Sequence, residues 1–304
     1  MPTNGMTIPS TELNTGVKTY NLSSVGKALP AWVGAKKAAQ ISKKRKKESD
    51  DRLEVIQELY FPTASGRVKV SADGETMMAT GTYPPQVRAY ELRELSLKFS
   101  RHFTADVVQF QILSSDWKKA AFLLTDRTIE FHSQFGKHYS TRIPHFGRAL
   151  AYQRETCELL AAGASEDIYR LNLERGCFLN PLRTGASGVN VLAVAPSHGM
   201  LAVGTQDGTV QCWDPRSRDH LGAVSPFDTP DVEALPGMSR EVTSLRFGDS
   251  GLQLAAGTSS GHIALYDIRR MKPMLVKDHQ YGAQAPVGQF TSGTVHSTVH
   301  LIVM

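Results

Sequence analysis

Apolar and polar residues alternate along most of this chain in short runs, and the runs return on a regular spacing. Val108/Phe110, Leu150/Tyr152, Val191/Ala193 and Leu245/Phe247 each mark a half-buried strand of period two. After each comes a run of small and aliphatic residues, a turn, and a strand that ends in a bulky side chain. Two copies are clear: Leu201-Ala202-Val203-Gly204-Thr205 running on to Trp213-Asp214, and Leu254-Ala255-Ala256-Gly257-Thr258 running on to Tyr266-Asp267. Earlier copies end at Tyr90, Phe131 and, with the weakest match, Leu171. The intervals between these five bulky positions are 41, 40, 42 and 53 residues.

A period near 40 residues with a Trp-Asp or Tyr-Asp ending is the signature of a WD-repeat-type β-propeller, so the expected fold class is all-β. About five blades are expected between 67 and 282, with the later four near 107–143, 147–182, 189–224 and 242–280. Asp73-Gly74 and Asp207-Gly208 are the strongest hairpin turns. Ala79, Gly81, Ala161, Gly163, Gly204, Ala256 and Gly257 stand at similar places, where small side chains let neighbouring sheets approach. The long last interval locates an insertion near Ser225 to Arg240. It carries Pro226, Pro230 and Pro236 and reads as a surface loop.

The ends of the chain break the pattern. Residues 1–16 are polar and expected to be disordered. Val17 to Leu22 reads as a lone strand of the kind that completes the last blade of a propeller. Ala31 to Leu59 reads as a helix, basic in its first half and amphipathic later, with Leu53, Ile56 and Leu59 on one face. Residues 283–304 form an anomalous tail, at most an incomplete sixth blade, in which Thr291 to His296 gives no recognisable hairpin. Five blades with such a tail are expected not to close a ring, so the chain reads as a shortened form of a longer protein.

Charge sharpens this picture at one place. Lys36, Lys37, Lys43, Lys44, Arg45, Lys46 and Lys47 are seven cations with no acid among them. The whole chain is net +5, so the remainder is net −2: a near-neutral platform with one cationic arm. Such an arm can neutralise nucleic-acid phosphates, serve as a nuclear import signal, or be a solvated helix face. No aromatic residues interleave with it, so any RNA contact is expected to be insensitive to sequence. Lys277-Asp278-His279-Gln280-Tyr281 is a second polar cluster; it either holds a partner peptide or forms a satisfied turn with Tyr281 packed between blades.

Other chemistry is sparse. Cys157, Cys177 and Cys212 are an odd number without CxxC spacing, which fits a reducing compartment, and Cys157 and Cys212 read as strand residues. No apolar stretch approaches the ~18 residues of a membrane helix, and Met1 to Ser10 lacks a secretory pattern. Gly257-Thr258-Ser259-Ser260-Gly261 matches GxSxG, but a nucleophile elbow needs a helix next, and His262 to Tyr266 reads as strand. His296 and His300 lack a third ligand nearby. Trp213 and Tyr266 read as packing residues. No catalytic residue, metal, cofactor or small-molecule substrate is expected.

The segments between and around the repeats are more specific. Gly26-Lys27-Ala28-Leu29-Pro30-Ala31-Trp32, Ala79-Thr80-Gly81-Thr82-Tyr83 and Leu95-Ser96-Leu97-Lys98-Phe99 resemble the nucleolar protein 10 family. So do Asp126 to His132, Tyr139 to Pro144, Tyr169 to Glu174 and Lys277 to Gly282. The resemblance covers about residues 17–282 and lapses after that. It implies a nucleolar, non-catalytic WD-repeat scaffold of ribosome biogenesis, acting in small-subunit rRNA maturation with processome proteins and pre-rRNA backbone as partners. The alternative reading is a generic WD-repeat adaptor, for example one serving a ubiquitin ligase.

Overall fold

A computed structural model describes residues 61–93, 96–228, 240–270 and 272–278, together with the backbone of a few short strands outside them. The chain divides into two compact units, Met1–Phe103 and Thr104–Met304.

In the first unit, β1 (Ser10–Glu12), β2 (Lys18–Tyr20) and β3 (Val55–Ile56) form a small antiparallel sheet in the order β1-β2-β3. Three expectations are corrected here. Ser10–Glu12 is strand although residues 1–16 read as disordered. The lone strand pairs with β1 and β3 rather than completing a blade. Val55–Ile56 is extended, not helical; the rest of the Ala31 to Leu59 helix lies outside the described residues. The first blade follows: β4 (Ser65–Val70), β5 (Thr76–Gly81), β6 (Gln86–Glu91) and β7 (Ser96–His102), in the order β4-β5-β6-β7.

The second unit holds four more four-stranded antiparallel blades. Blade 2 is β8 (Val107–Ile112), β9 (Ala120–Leu124), β10 (Thr128–Ser133) and β11 (Gly136–Arg142). Blade 3 is β12 (Gly147–Gln153), β13 (Glu158–Gly163), β14 (Asp167–Asn172) and β15 (Cys177–Arg183). Blade 4 is β16 (Val189–Val194), β17 (Leu201–Thr205), β18 (Val210–Asp214) and β19 (Asp219–Val224). Blade 5 is β20 (Val242–Phe247), β21 (Gln253–Thr258), β22 (His262–Asp267) and β23 (Pro273–Asp278). These bounds match the sequence reading to within a few residues. The tail differs: β24 (Gln289–Ser292) and β25 (Val299–Ile302) pair antiparallel where no hairpin was legible.

The burial gradient explains the composition of each strand. First strands of consecutive blades, β8, β12, β16 and β20, lie beside one another. Second strands have both faces covered, so Ala120–Leu124 and Leu201–Thr205 are buried throughout and read as unbroken small-aliphatic runs. Fourth strands are outermost and largely exposed, as in β11 and β15. Close approach is what demands small residues: a Cβ on Gly163 would sit 1.9 Å from the Phe146 carbonyl oxygen. On Gly204 it would sit 2.6 Å from Val191 Cγ1.

Bulges set the twist of every blade. Each first strand carries one near its start, and in four blades a second, between third and fourth strands, falls just before Tyr90, His132, Trp213 or Tyr266, so blade 2 has His132 and not the expected Phe131 at the repeat position. Blade 3 departs: its bulge lies between Ile168 and Arg170, not at Leu171. An extra residue bends the outer strand and re-aims the neighbouring side chain, and Trp213 and Tyr266 are turned toward the preceding blade. Cys157 is a further correction, since it occupies the turn before β13 at φ 52° rather than a strand.

Candidate interaction surfaces

Polar side chains tie consecutive blades of the second unit together. Gln109 Oε1 accepts from Leu150 N–H at 2.8 Å while Gln111 Nε2 donates to the Leu150 carbonyl at 2.6 Å, joining blade 2 to blade 3. Arg148 donates to Asn190 Oδ1 at 2.6 Å, and Asn190 Nδ2 donates to Glu241 Oε2 at 3.1 Å, carrying the chain of bonds through blades 3, 4 and 5. Deeper, Arg170 donates to both oxygens of Glu158 at 2.9 and 3.0 Å, and to the Pro215 carbonyl at 3.2 Å. Both charges are buried, so the bidentate pairing is what makes their desolvation tolerable.

The GxSxG match resolves into one of these braces. Ser259 and Ser260 lie in the turn between β21 and β22, and strand follows as expected. Thr258 Oγ1 accepts from His262 N–H and donates to the His262 carbonyl, and Ser260 Oγ lies 3.0 Å from His262 Nδ1. Blade 4 repeats the arrangement, with Thr205 Oγ1 bonded to the Thr209 N–H and carbonyl. The same hairpin brace recurs in two blades and so belongs to the repeat. Among the described residues no group of His, Cys, Asp or Glu could hold a metal ion.

The bulky repeat residues form the contacts between blades, but not equally. Trp213 is buried among Leu160, Ile168 and Leu182 of blade 3, its Nε1 donating to Gln211 Oε1 at 3.1 Å. Tyr266 is buried between blades 4 and 5; burial first, then the charge of Asp228, pushes its phenol up to about 12. Beside it lies a cleft of about 150 Å³ that includes Cys212, whose thiol burial pushes up. At the corresponding place blade 3 has only Leu171. There, between blades 2 and 3, a cleft of about 630 Å³ opens.

Aromatic side chains dominate this larger cleft. Phe131 and Tyr139 stand directly opposite on β10 and β11 with ring centroids 6.4 Å apart, and Tyr152, Leu171 and Leu173 face them from blade 3. Burial, then the neighbouring Cys157, raises the Tyr152 phenol. Tyr139 is 60% exposed and Phe135, at the tip of the β10–β11 turn, is 90% exposed. Lys119, His138 and Glu174 stand at the polar rim.

The sites expected from sequence lie elsewhere. Lys36, Lys37, Lys43, Lys44, Arg45, Lys46 and Lys47 fall outside the described residues. Lys277 is exposed on β23, opposite Ile263, and the backbone of Asp278 pairs with His262. His279, Gln280 and Tyr281 are outside the described residues. The blade 2–3 cleft was missed, although its one sequence signal was present: the weakest repeat copy, ending at Leu171.

Comparison with known proteins fits this architecture. Residues 9–302 match the family described as nucleolar protein 10-like, N-terminal domain, and so include the tail that was expected to depart from it. Nucleolar protein 10 of Xenopus tropicalis is 45% identical over 94% of this chain and 41% of its own length. The Homo sapiens protein of that name is 46% identical over 88% of this chain and 38% of its own. Ribosome biogenesis protein ENP2 of Saccharomyces cerevisiae is 42% identical over 91% and 38%. The chain thus spans about two fifths of the length of these relatives. Among solved structures, RRP9 WD40 repeats align at TM-score 0.60 and 15% identity over 72% of this chain and 64% of that one, which shows the WD-type propeller fold. Repeat spacing, blade topology and sequence identity agree that the chain belongs to the nucleolar protein 10 family.

Proposed function

We propose that this chain is a non-catalytic scaffold of ribosome biogenesis, working in the nucleus and nucleolus in support of small-subunit rRNA maturation. The observation that carries the reading is identity above 40%, over 88–94% of this chain, to proteins named for the nucleolus and for ribosome biogenesis. The geometry supports a platform over an enzyme. Gln109, Gln111, Arg148 and Asn190 are committed to joining blades, and the one Ser–His contact in the GxSxG segment is a hairpin brace. On this reading the blade rims bind processome proteins, and the Lys36 to Lys47 run lies against pre-rRNA backbone, where each cation displaces condensed counterions.

Crosslinking of the tagged chain in cells, with sequencing of attached RNA, tests this. Pre-rRNA enrichment that falls when Lys43 to Lys47 are replaced by Ala is the expected result. A folded chain that spreads through nucleoplasm and cytosol without pre-rRNA would point instead to a general adaptor. Pre-rRNA association unchanged by the replacement would remove the arm from the account while leaving the scaffold.

A further inference from the structure

The blade 2–3 cleft joins three features in a space of about 630 Å³, against about 150 Å³ for the cleft between blades 4 and 5. The first is apolar depth: Leu171 stands where blade 4 has Trp213, and the volume left is walled by Phe131, Tyr139, Tyr152 and Leu173.

The second is an accessible strand edge. Ile143 N–H donates to the Arg127 carbonyl at 2.9 Å, so alternation along the antiparallel ladder turns Tyr139 and Thr141 inward. The main-chain N–H and C=O groups of Ser140 and Arg142 then face out. β11 is seven residues long and, like the six-residue β19 of blade 4, contains no proline, whereas Pro181 interrupts the edge strand of blade 3 and Pro273 opens that of blade 5. Proline on an edge blocks the addition of another strand, and β11 lacks that protection.

The third is charge. Lys118 is neutralised by Asp116 at 3.0 Å and Lys137 by Glu130 at 2.5 Å, both beside the cleft. Lys119, exposed on the cleft wall, has no carboxylate partner among the described residues. Glu174 is the one acidic residue in the same lining.

We propose that this cleft docks an extended segment of a partner protein bearing a bulky apolar side chain flanked by an acidic one. The segment's backbone pairs with the outer edge of β11. Its apolar side chain fills the space beside Leu171, and its carboxylate meets Lys119. This is strand addition with pocket specificity. Lys119 is the one Lys or Arg in the lining, far from the positively charged groove that tracks a nucleic-acid backbone, and this favours a peptide over RNA. The inference deepens the scaffold reading by naming the chemistry of one partner.

The test is selection of random peptides of about 12 residues, long enough to lie along β11, on the full chain by phage display. Selected peptides should carry a bulky apolar residue next to Asp or Glu. They should bind Leu171→Trp and Ser140→Pro at least about tenfold more weakly, as when an anchor pocket is lost. Lys119→Glu changes only an exposed charge and should shift selection toward basic peptides, which keeps the test decisive should either other variant misfold. Selection of no peptide, or of peptides that bind all three variants like the wild type, overturns the proposal. So does an oligouridine probe that binds and is lost with Leu171→Trp while peptides are not. Pre-rRNA association in cells is read separately, so docking and the scaffold role can fail independently.

Discussion

The contacts between blades 2 and 3 and between blades 3 and 4 are made from the same repeat, yet one is open and the other is packed. Trp213 fills the second contact, and the buried Arg170–Glu158 pair reaches across it to the Pro215 carbonyl. Leu171 occupies the equivalent place in the first, and the space it leaves becomes a cleft of about 630 Å³ with Tyr139 exposed at its mouth. Side-chain bonds cross both, from Gln111 to the Leu150 carbonyl at the first and from Arg148 to Asn190 at the second. One side chain per blade thus decides whether a contact is packed or open.

The packed contact is where the largest loss should come. Arg170→Ala leaves Glu158 as an unpaired buried charge and should cost about 3–5 kcal/mol in chemical denaturation. If the loss is below about 1 kcal/mol, the pair does not hold blades 3 and 4 together. Trp213→Leu, which gives blade 4 the residue of blade 3, should cost about 3 kcal/mol through lost burial and a new void.

The reverse exchange sharpens the contrast. Leu171→Trp enters space that already exists, so it should change stability by less than about 1 kcal/mol, against the ~1–3 kcal/mol of overpacking a filled site. Cys157, on the cleft wall, should then react more slowly with a thiol reagent. A large destabilisation with unchanged thiol reactivity would mean that the cleft does not admit the indole.

The smallest effect is electrostatic. Ser187 donates to Asp207 from its Oγ at 2.6 Å and its N–H at 2.9 Å, and these bonds hold the carboxyl below its usual range. A depressed folded-state value stabilises above the ordinary carboxylate pKa near ~4, and the contribution disappears as pH falls through the folded value. Asp207→Asn should therefore lower the melting temperature slightly near neutral pH and leave it unchanged in acid. An equal loss at both ends would sink the assignment.

Much of this architecture was legible because a WD-type blade repeats its chemistry. The alternation at Leu150/Tyr152, the turn at Asp207-Gly208 and the bulky endings at Trp213 and Tyr266 placed four blades to within a few residues. What escaped was set by partners distant in sequence. Nothing near Val55 indicated that it would pair with Tyr20, and nothing near Gln289 indicated a strand partner at Ile302. Phe131 reads as the repeat aromatic, but the bulge before His132 puts it one place earlier in the repeat, packed with Leu171 of blade 3. A weak repeat copy reads as noise in a periodicity argument, while in the fold it is a vacancy between two sheets.

Sedimentation of the tagged wild-type and Leu171→Trp chains through sucrose gradients of cell extract tests the account most directly. It predicts that the wild type travels with pre-ribosomal particles and that the folded Trp variant shifts toward the light fractions. Equal co-sedimentation of both would show that the open contact is not what the assembly grips, and absence of both from the heavy fractions would contradict the scaffold itself.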